Sequence, residues 1–143
     1  MLMKKILLAL LLFASLISCK EMPNDGYEAL EKHMSEEYNI SLKDYDKVLL
    51  LSDKGCLTCN KKMAHSLDTF ISNTNNFVIV SSQNSSLFSE NDYENVFNTN
   101  EGLVKKYFYP FGSYLFHKSN SGGIESVYID ATNTDSVINA LLQ

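Results

Sequence analysis

Residues 47–60 read KVLLLSDKGCLTCN. Lys47–Ser52 is a short apolar run, suited to a buried central strand. Asp53-Lys54-Gly55 breaks it. From Cys56 the spacing predicts a helix to about Asn73. Cys59, Met63, Leu67, Phe70 and Ile71 fall on one stripe, while Lys61, Lys62 and Asp68 face elsewhere. Phe77–Ser81 (FVIVS) is a second run of the buried type. Strand, helix and strand in this order predict a parallel βαβ unit.

The flanks extend the pattern. Upstream, Tyr27, Leu30, Met34 and Tyr38 stand at helical spacing, so a short amphipathic helix is expected over Tyr27–Tyr38. Ser41–Asp46 is a polar connector. Downstream, residues 82–100 are rich in Ser and Asn, with a short helical turn expected around Asp92–Phe97. Asn100 is placed to cap a helix over Glu101–Phe108. Gly112–His117 (GSYLFH) reads as a third strand, Ser119–Gly123 (SNSGG) as a hairpin turn and Ile124–Asp130 as a fourth strand. Thr132–Leu142 closes the chain as a helix, with Val137, Ile138, Leu141 and Leu142 inward. The fold class is therefore α/β: a sandwich with a central mixed four-stranded sheet flanked by helices.

The chain has 143 residues, enough for one domain. Its 45% hydrophobic content supports a packed core. The formal net charge is −5, and all 12 basic residues are Lys. A nucleic-acid binder needs clustered cations for phosphate, and Arg for bidentate readout. No nucleic-acid partner is expected.

The N-terminus reads as an address. Lys4 and Lys5 precede the apolar run Ile6–Ile17, which is too short for a comfortable membrane span and matches a secretory signal. Leu16-Ile17-Ser18-Cys19 resembles the lipobox of bacterial lipoproteins. That resemblance implies cleavage after Ser18, acylation of Cys19 and stable attachment to a membrane. Residues 1–18 would then be the signal peptide and 19–26 a lipidated tether, rich in turn-forming residues. Residues 27–143 would form the folded domain. The expected location is the bacterial cell envelope, at the outer membrane or a periplasmic face. Lys20-Glu21 also resembles the export signal of some Bacteroidetes surface lipoproteins.

With Cys19 spent as an anchor, two of the three cysteines remain, Cys56 and Cys59. A CxxC opening a helix sets its first sulfur beside unpaired backbone N–H groups and the positive end of the helix dipole. Both favour thiolate, the form that attacks disulfides. Lys54, Lys61 and Lys62 add positive charge nearby. The spacing lets the second sulfur reach back to close a ring.

Here the chain resembles the thioredoxin family over roughly residues 45–143. The resemblance rests on the strand VLLL, the turn DKG, the motif CLTC with its helix, the strand FVIVS, and the YLFH…VYID hairpin with its final helix. It implies a thioredoxin-like sandwich, with Cys56 as nucleophile and Cys59 as resolving thiol. The partners would be protein thiols and disulfides, with no cofactor.

Three positions depart from the family. Gly55 stands where an aromatic residue usually precedes the first Cys. Leu50 stands six residues before that Cys, where classical thioredoxins bury an acid. Pro110 lies near the family's cis-proline position, but counting back from YLF puts Phe111 in register. Tyr109, Pro110 and Phe111 are the candidate substrate-groove residues. Phe108 and Phe116, in the same aromatic-rich region, are expected in the core.

Other readings stay open. The pair is also compatible with a structural disulfide in a non-catalytic surface lipoprotein that serves as a binding module. A CxxC–His copper site would need His117 brought to the motif. His65, six residues past Cys59, is about 240° round the helix and points away. Covalent haem needs His after the second Cys, and residue 60 is Asn. A zinc site needs two further ligands.

Overall fold

The computed structural model describes residues 24–52, 55–68, 77–81, 94–108 and 112–143. Helix α1 spans Asn24–Tyr38, and a 3₁₀ turn over Leu42–Asp44 leads to strand β1, Lys47–Leu51. Helix α2 covers Leu57–Asp68 and strand β2 Phe77–Ser81. Strand β3 (Val96–Asn98), helix α3 (Glu101–Tyr107), strand β4 (Ser113–Lys118), strand β5 (Ile124–Ile129) and helix α4 (Thr134–Leu142) complete the chain. Among the described residues, no helix is long and apolar enough to cross a membrane.

The five strands form one mixed sheet in the order β3-β2-β1-β4-β5. β1 pairs parallel with β2, and β2 parallel with β3. β4 runs antiparallel to both β1 and β5. The α/β class and the four expected strands are present, but the sheet has five strands, not four. The extra one is β3, where a helical turn is expected from sequence around Asp92–Phe97. It is three residues long, too short to show a period in sequence. It forms because the outer edge of β2 carries unpaired backbone groups. Ile79 N–H donates to the Asn95 carbonyl at 2.9 Å, and Thr99 N–H to the Ser81 carbonyl at 2.8 Å.

The period-2 alternation of the strands sorts the core into two layers. Leu49, Leu51, Ile79, Leu115 and Ile129 face α2 and α4, meeting Met63, Leu67, Val137 and Leu141. Val48, Leu50, Val80, Tyr114 and Phe116 face α1 and α3, meeting Leu30, Met34, Val104 and Phe108. Each helix buries one stripe and leaves its charged face to water. The expected core positions Phe108 and Phe116 are buried. Leu142, expected inward, is instead 38% exposed, because it stands a further 100° round α4 from Leu141 in the last turn.

Local chemistry sets the element ends. Asn100 caps α3 as expected, its Oδ1 accepting from Leu103 N–H at 2.7 Å. The β4–β5 turn closes through Gly122 N–H donating to the Ser119 carbonyl at 2.9 Å. Gly122 has φ of 87°, a conformation that favours glycine. Asp130 Oδ1 accepts from Thr132 N–H at 2.7 Å and from Thr132 Oγ1 at 2.6 Å, which holds its carboxyl below the usual range. This Asx-type turn launches α4 at Thr134, two residues later than the sequence pattern places it. At the other end, α1 begins at Asn24, inside the stretch read as tether.

Two core tyrosines give the fold a pH signature. Burial, then the neighbouring Glu31, pushes the Tyr27 hydroxyl up to about 12. Burial, then the neighbouring Tyr128, does the same for Tyr114. An unfolded tyrosine titrates near about 10. The stability these groups carry is therefore complete below that value and lost as pH rises toward about 12. The melting temperature should be flat to pH 9 and fall steeply above pH 10, with two tyrosines ionising only as the chain unfolds. Full tyrosine ionisation of a folded chain near pH 10 would contradict this.

Candidate functional site

β1 lies at the middle of the sheet, and Cys56 and Cys59 follow its C-terminal end. The two cysteines are joined as a disulfide, with Cα atoms 5.1 Å apart. Cys56 sits in the N-cap position of α2. Its carbonyl accepts the first helical bond, from Asn60 N–H at 2.9 Å. Its sulfur accepts from Cys59 N–H at 3.2 Å, the place an N-cap side-chain oxygen usually fills. A negative charge on this sulfur would meet a backbone donor and the positive end of α2.

The two sulfurs differ in access. Cys56 is half-buried, whereas Cys59 is 4% exposed and lies on the stripe that continues to Met63 and Leu67. Between them Leu57 is 48% exposed and Thr58 is exposed. An incoming group therefore meets Cys56 first.

Beneath the motif lies a polar cluster that the sequence reading did not single out. Asn60, fully buried, donates from Nδ2 to the Ser52 carbonyl at 2.7 Å. The Ser113 hydroxyl donates to Asn60 Oδ1 at 2.7 Å and accepts from Ser52 N–H at 3.0 Å. Gly55 N–H also donates to the Ser52 carbonyl, at 3.2 Å. The bonds join the end of β1, the first turn of α2 and the start of β4. Each is worth roughly 1 kcal/mol net, and an orphaned partner would cost about 1–3 kcal/mol. One signal in the sequence points to this cluster. Asn60 stands three and four residues before Met63 and Ala64, so a polar side chain occupies the apolar face of α2.

Gly55 and Gly112 let the motif sit close to β4. A Cβ on Gly55 would meet Ser113 N at 3.2 Å and Gly112 Cα at 3.3 Å. A Cβ on Gly112 would fall 2.0 Å from Tyr128 Cε2, so the Tyr128 ring covers that glycine directly. A side chain at position 55 would thus start in tight contact with the Gly112–Ser113 backbone and the Ser113 hydroxyl.

The remaining expected residues fall into two groups, those outside the described residues and those placed away from the cysteine pair. Tyr109, Pro110 and Phe111 lie outside the described residues, as do Cys19 and Lys54. Tyr114 is buried in the core. Lys61 is exposed, and Lys62 pairs with Asp135 of α4 at 2.6 Å, an exposed contact worth less than about 1 kcal/mol. His65 is exposed. His117 pairs with Lys47 in the sheet register, about 13 Å along β1 from its cysteine end, and its Nε2 lies 3.8 Å from Glu125. No group of three His, Cys, Asp or Glu residues able to hold a metal gathers among the described residues. Leu50, six residues before Cys56, is fully buried against the α1/α3 layer.

Two clefts lie away from the cysteines. One, of about 540 Å³, runs between β4, β5 and α4 past Lys47, Leu115, His117, Val127 and Val137. The other, of about 560 Å³, lies between α1 and the β4–β5 turn. Comparison with protein-family models, with curated proteins and with solved structures finds no match to this chain.

Proposed function

We propose that the chain is a thioredoxin-like thiol–disulfide oxidoreductase, anchored through Cys19 to a membrane of the bacterial envelope. The observation that carries this reading is the asymmetry of the pair. A half-buried cysteine caps a helix N-terminus through its sulfur, and its partner is buried one turn behind it. The arrangement suits two-step exchange. The Cys56 thiolate attacks a substrate disulfide, forming a mixed disulfide and releasing one substrate thiolate. Cys59 then loses its proton and attacks Cys56 Sγ, releasing the second substrate thiolate and closing the Cys56–Cys59 bond. Two electrons pass to the substrate, and a protein dithiol restores the pair. Run backwards, the same steps oxidise a substrate dithiol. The lipid anchor and the envelope location rest on the first nineteen residues alone.

The test is trapping. In the full chain, Cys59→Ala should accumulate a Cys56-linked mixed disulfide with a protein disulfide substrate, while Cys56→Ala should accumulate none. The Cys56 thiolate should persist well below pH 8.5, the value for a free thiol. A thiol that titrates at or above that value, with no trapped species, would favour the non-catalytic binding module with a structural disulfide.

A further inference from the structure

A covalent bond and a hydrogen-bonded clasp close the same stretch of chain. The disulfide joins Cys56 to Cys59. Around it, Asn60 Nδ2 holds the Ser52 carbonyl, and Asn60 Oδ1 holds the Ser113 hydroxyl, each at 2.7 Å. Ser52 precedes the cysteines and Asn60 follows them. The clasp therefore ties the two ends of the cysteine segment to each other and to the first residue of β4. All three residues are buried, so water does not compete for these bonds. None of the bonds uses a sulfur atom, so the clasp needs no sulfur partner and can form in the dithiol as well as in the disulfide.

We infer that Asn60, with Ser113 as its partner, is the positioning residue of the cysteine pair, holding the two sulfurs within reach of each other in the dithiol form. This rests on the reading of Cys56 and Cys59 as a reversible redox pair. A primary amide suits the task because it offers a donor and an acceptor in one rigid plane. Here the donor takes the strand carbonyl and the acceptor takes the hydroxyl.

The consequence is thermodynamic. When glutathione reduces the protein, two glutathione thiols become one glutathione disulfide. The Cys56–Cys59 bond takes up two electrons and two protons to give two thiols. A segment already held in its closed shape loses less chain entropy when the bond re-forms. The clasp thus favours the disulfide and lowers the reduction potential of the pair. Because both closures restrain one loop, each lowers the entropy cost of forming the other, and the two are coupled. By reciprocity, loss of the clasp should cost the disulfide form more stability than the dithiol form, by the same free energy that the disulfide equilibrium loses.

The experiment compares the full chain in detergent with Asn60→Ala and Ser113→Ala. Each is equilibrated in glutathione buffers, and the dithiol fraction is read by alkylation. For Asn60→Ala the equilibrium constant for disulfide formation should fall about tenfold, the upper worth of one net hydrogen bond. That places the potential about 30 mV less negative. Ser113→Ala should move it the same way, by less. In parallel, the melting temperature of the disulfide form should drop further than that of the dithiol form. Equal drops with an unchanged potential would mean a plain structural buttress and would overturn the inference. If Asn60→Ala does not fold, Ser113→Ala, which removes a single oxygen, decides by the same two readouts. A native disulfide inert to every glutathione ratio would instead sink the redox-pair reading. The two melting temperatures, measured after reduction by a stronger dithiol, would still judge the clasp.

Discussion

Phe108→Ala is expected to lower the unfolding free energy by about 3–5 kcal/mol, the range for deleting a large buried aromatic ring. Phe108 is fully buried, just beyond the end of α3. Its ring centroid lies 5.7 Å from that of Tyr114 and 5.9 Å from that of Phe116. On its other side, a Cβ at Gly26 would come within 3.0 Å of Phe108 Cε1. One ring thus touches β4, α3 and the first turn of α1. The neighbours are rings and backbone held by the sheet, so collapse into the vacated space would be limited. Small domains have only about 5–15 kcal/mol to lose. The urea midpoint should fall sharply with little change in slope. A loss below about 1 kcal/mol would show that the α1/α3 layer is plastic and that this ring does not organise it.

Leu50→Asp should be at least as damaging at pH 7, by about 5 kcal/mol or more. It combines loss of a buried leucine, about 2–5 kcal/mol, with the cost of desolvating a carboxylate. Leu50 pairs with Val80 on one side and Tyr114 on the other, and its side chain is fully buried. Burial would raise the new carboxyl above the unfolded value of about 3.9. A group raised in the folded state contributes most below its unfolded value, and that contribution is lost as pH rises through the folded value. The variant should therefore be markedly more stable near pH 4 than at pH 7, relative to the parent at each pH. Equal penalties at the two pH values would argue that water or a cation reaches this position. The new carboxyl would lie on a strand face that is apolar. The polar contacts beside the motif come from Asn60 and Ser113.

The particular elements show what a sequence exposes and what it hides. Lys47–Leu51 and Phe77–Ser81 were legible because central parallel strands are apolar on both faces and need no period to be seen. The helix after Cys56 was legible from its stripe. β3 was not, since three residues carry no periodic signal and their pairing is dictated by the exposed edge of β2. At the site, the cysteine pair was evident from spacing, and the structure added their unequal access. The Ser52–Asn60–Ser113 cluster was hidden because Ser113 is far from the motif in sequence. Only the antiparallel pairing of β4 with β1 brings it there. Asn60 carries a signal of its own, a polar residue on an apolar helix face.

The strand order has a last consequence. β1 is flanked by two strands on either side, and both of its faces are covered by helices. Local opening starts where fewest neighbours hold the chain, here at β3 and β5. The cysteine segment hangs from the strand that such fraying reaches last. Partial unfolding at the rim would therefore leave the Cys56–Cys59 disulfide and the polar cluster beside it in place.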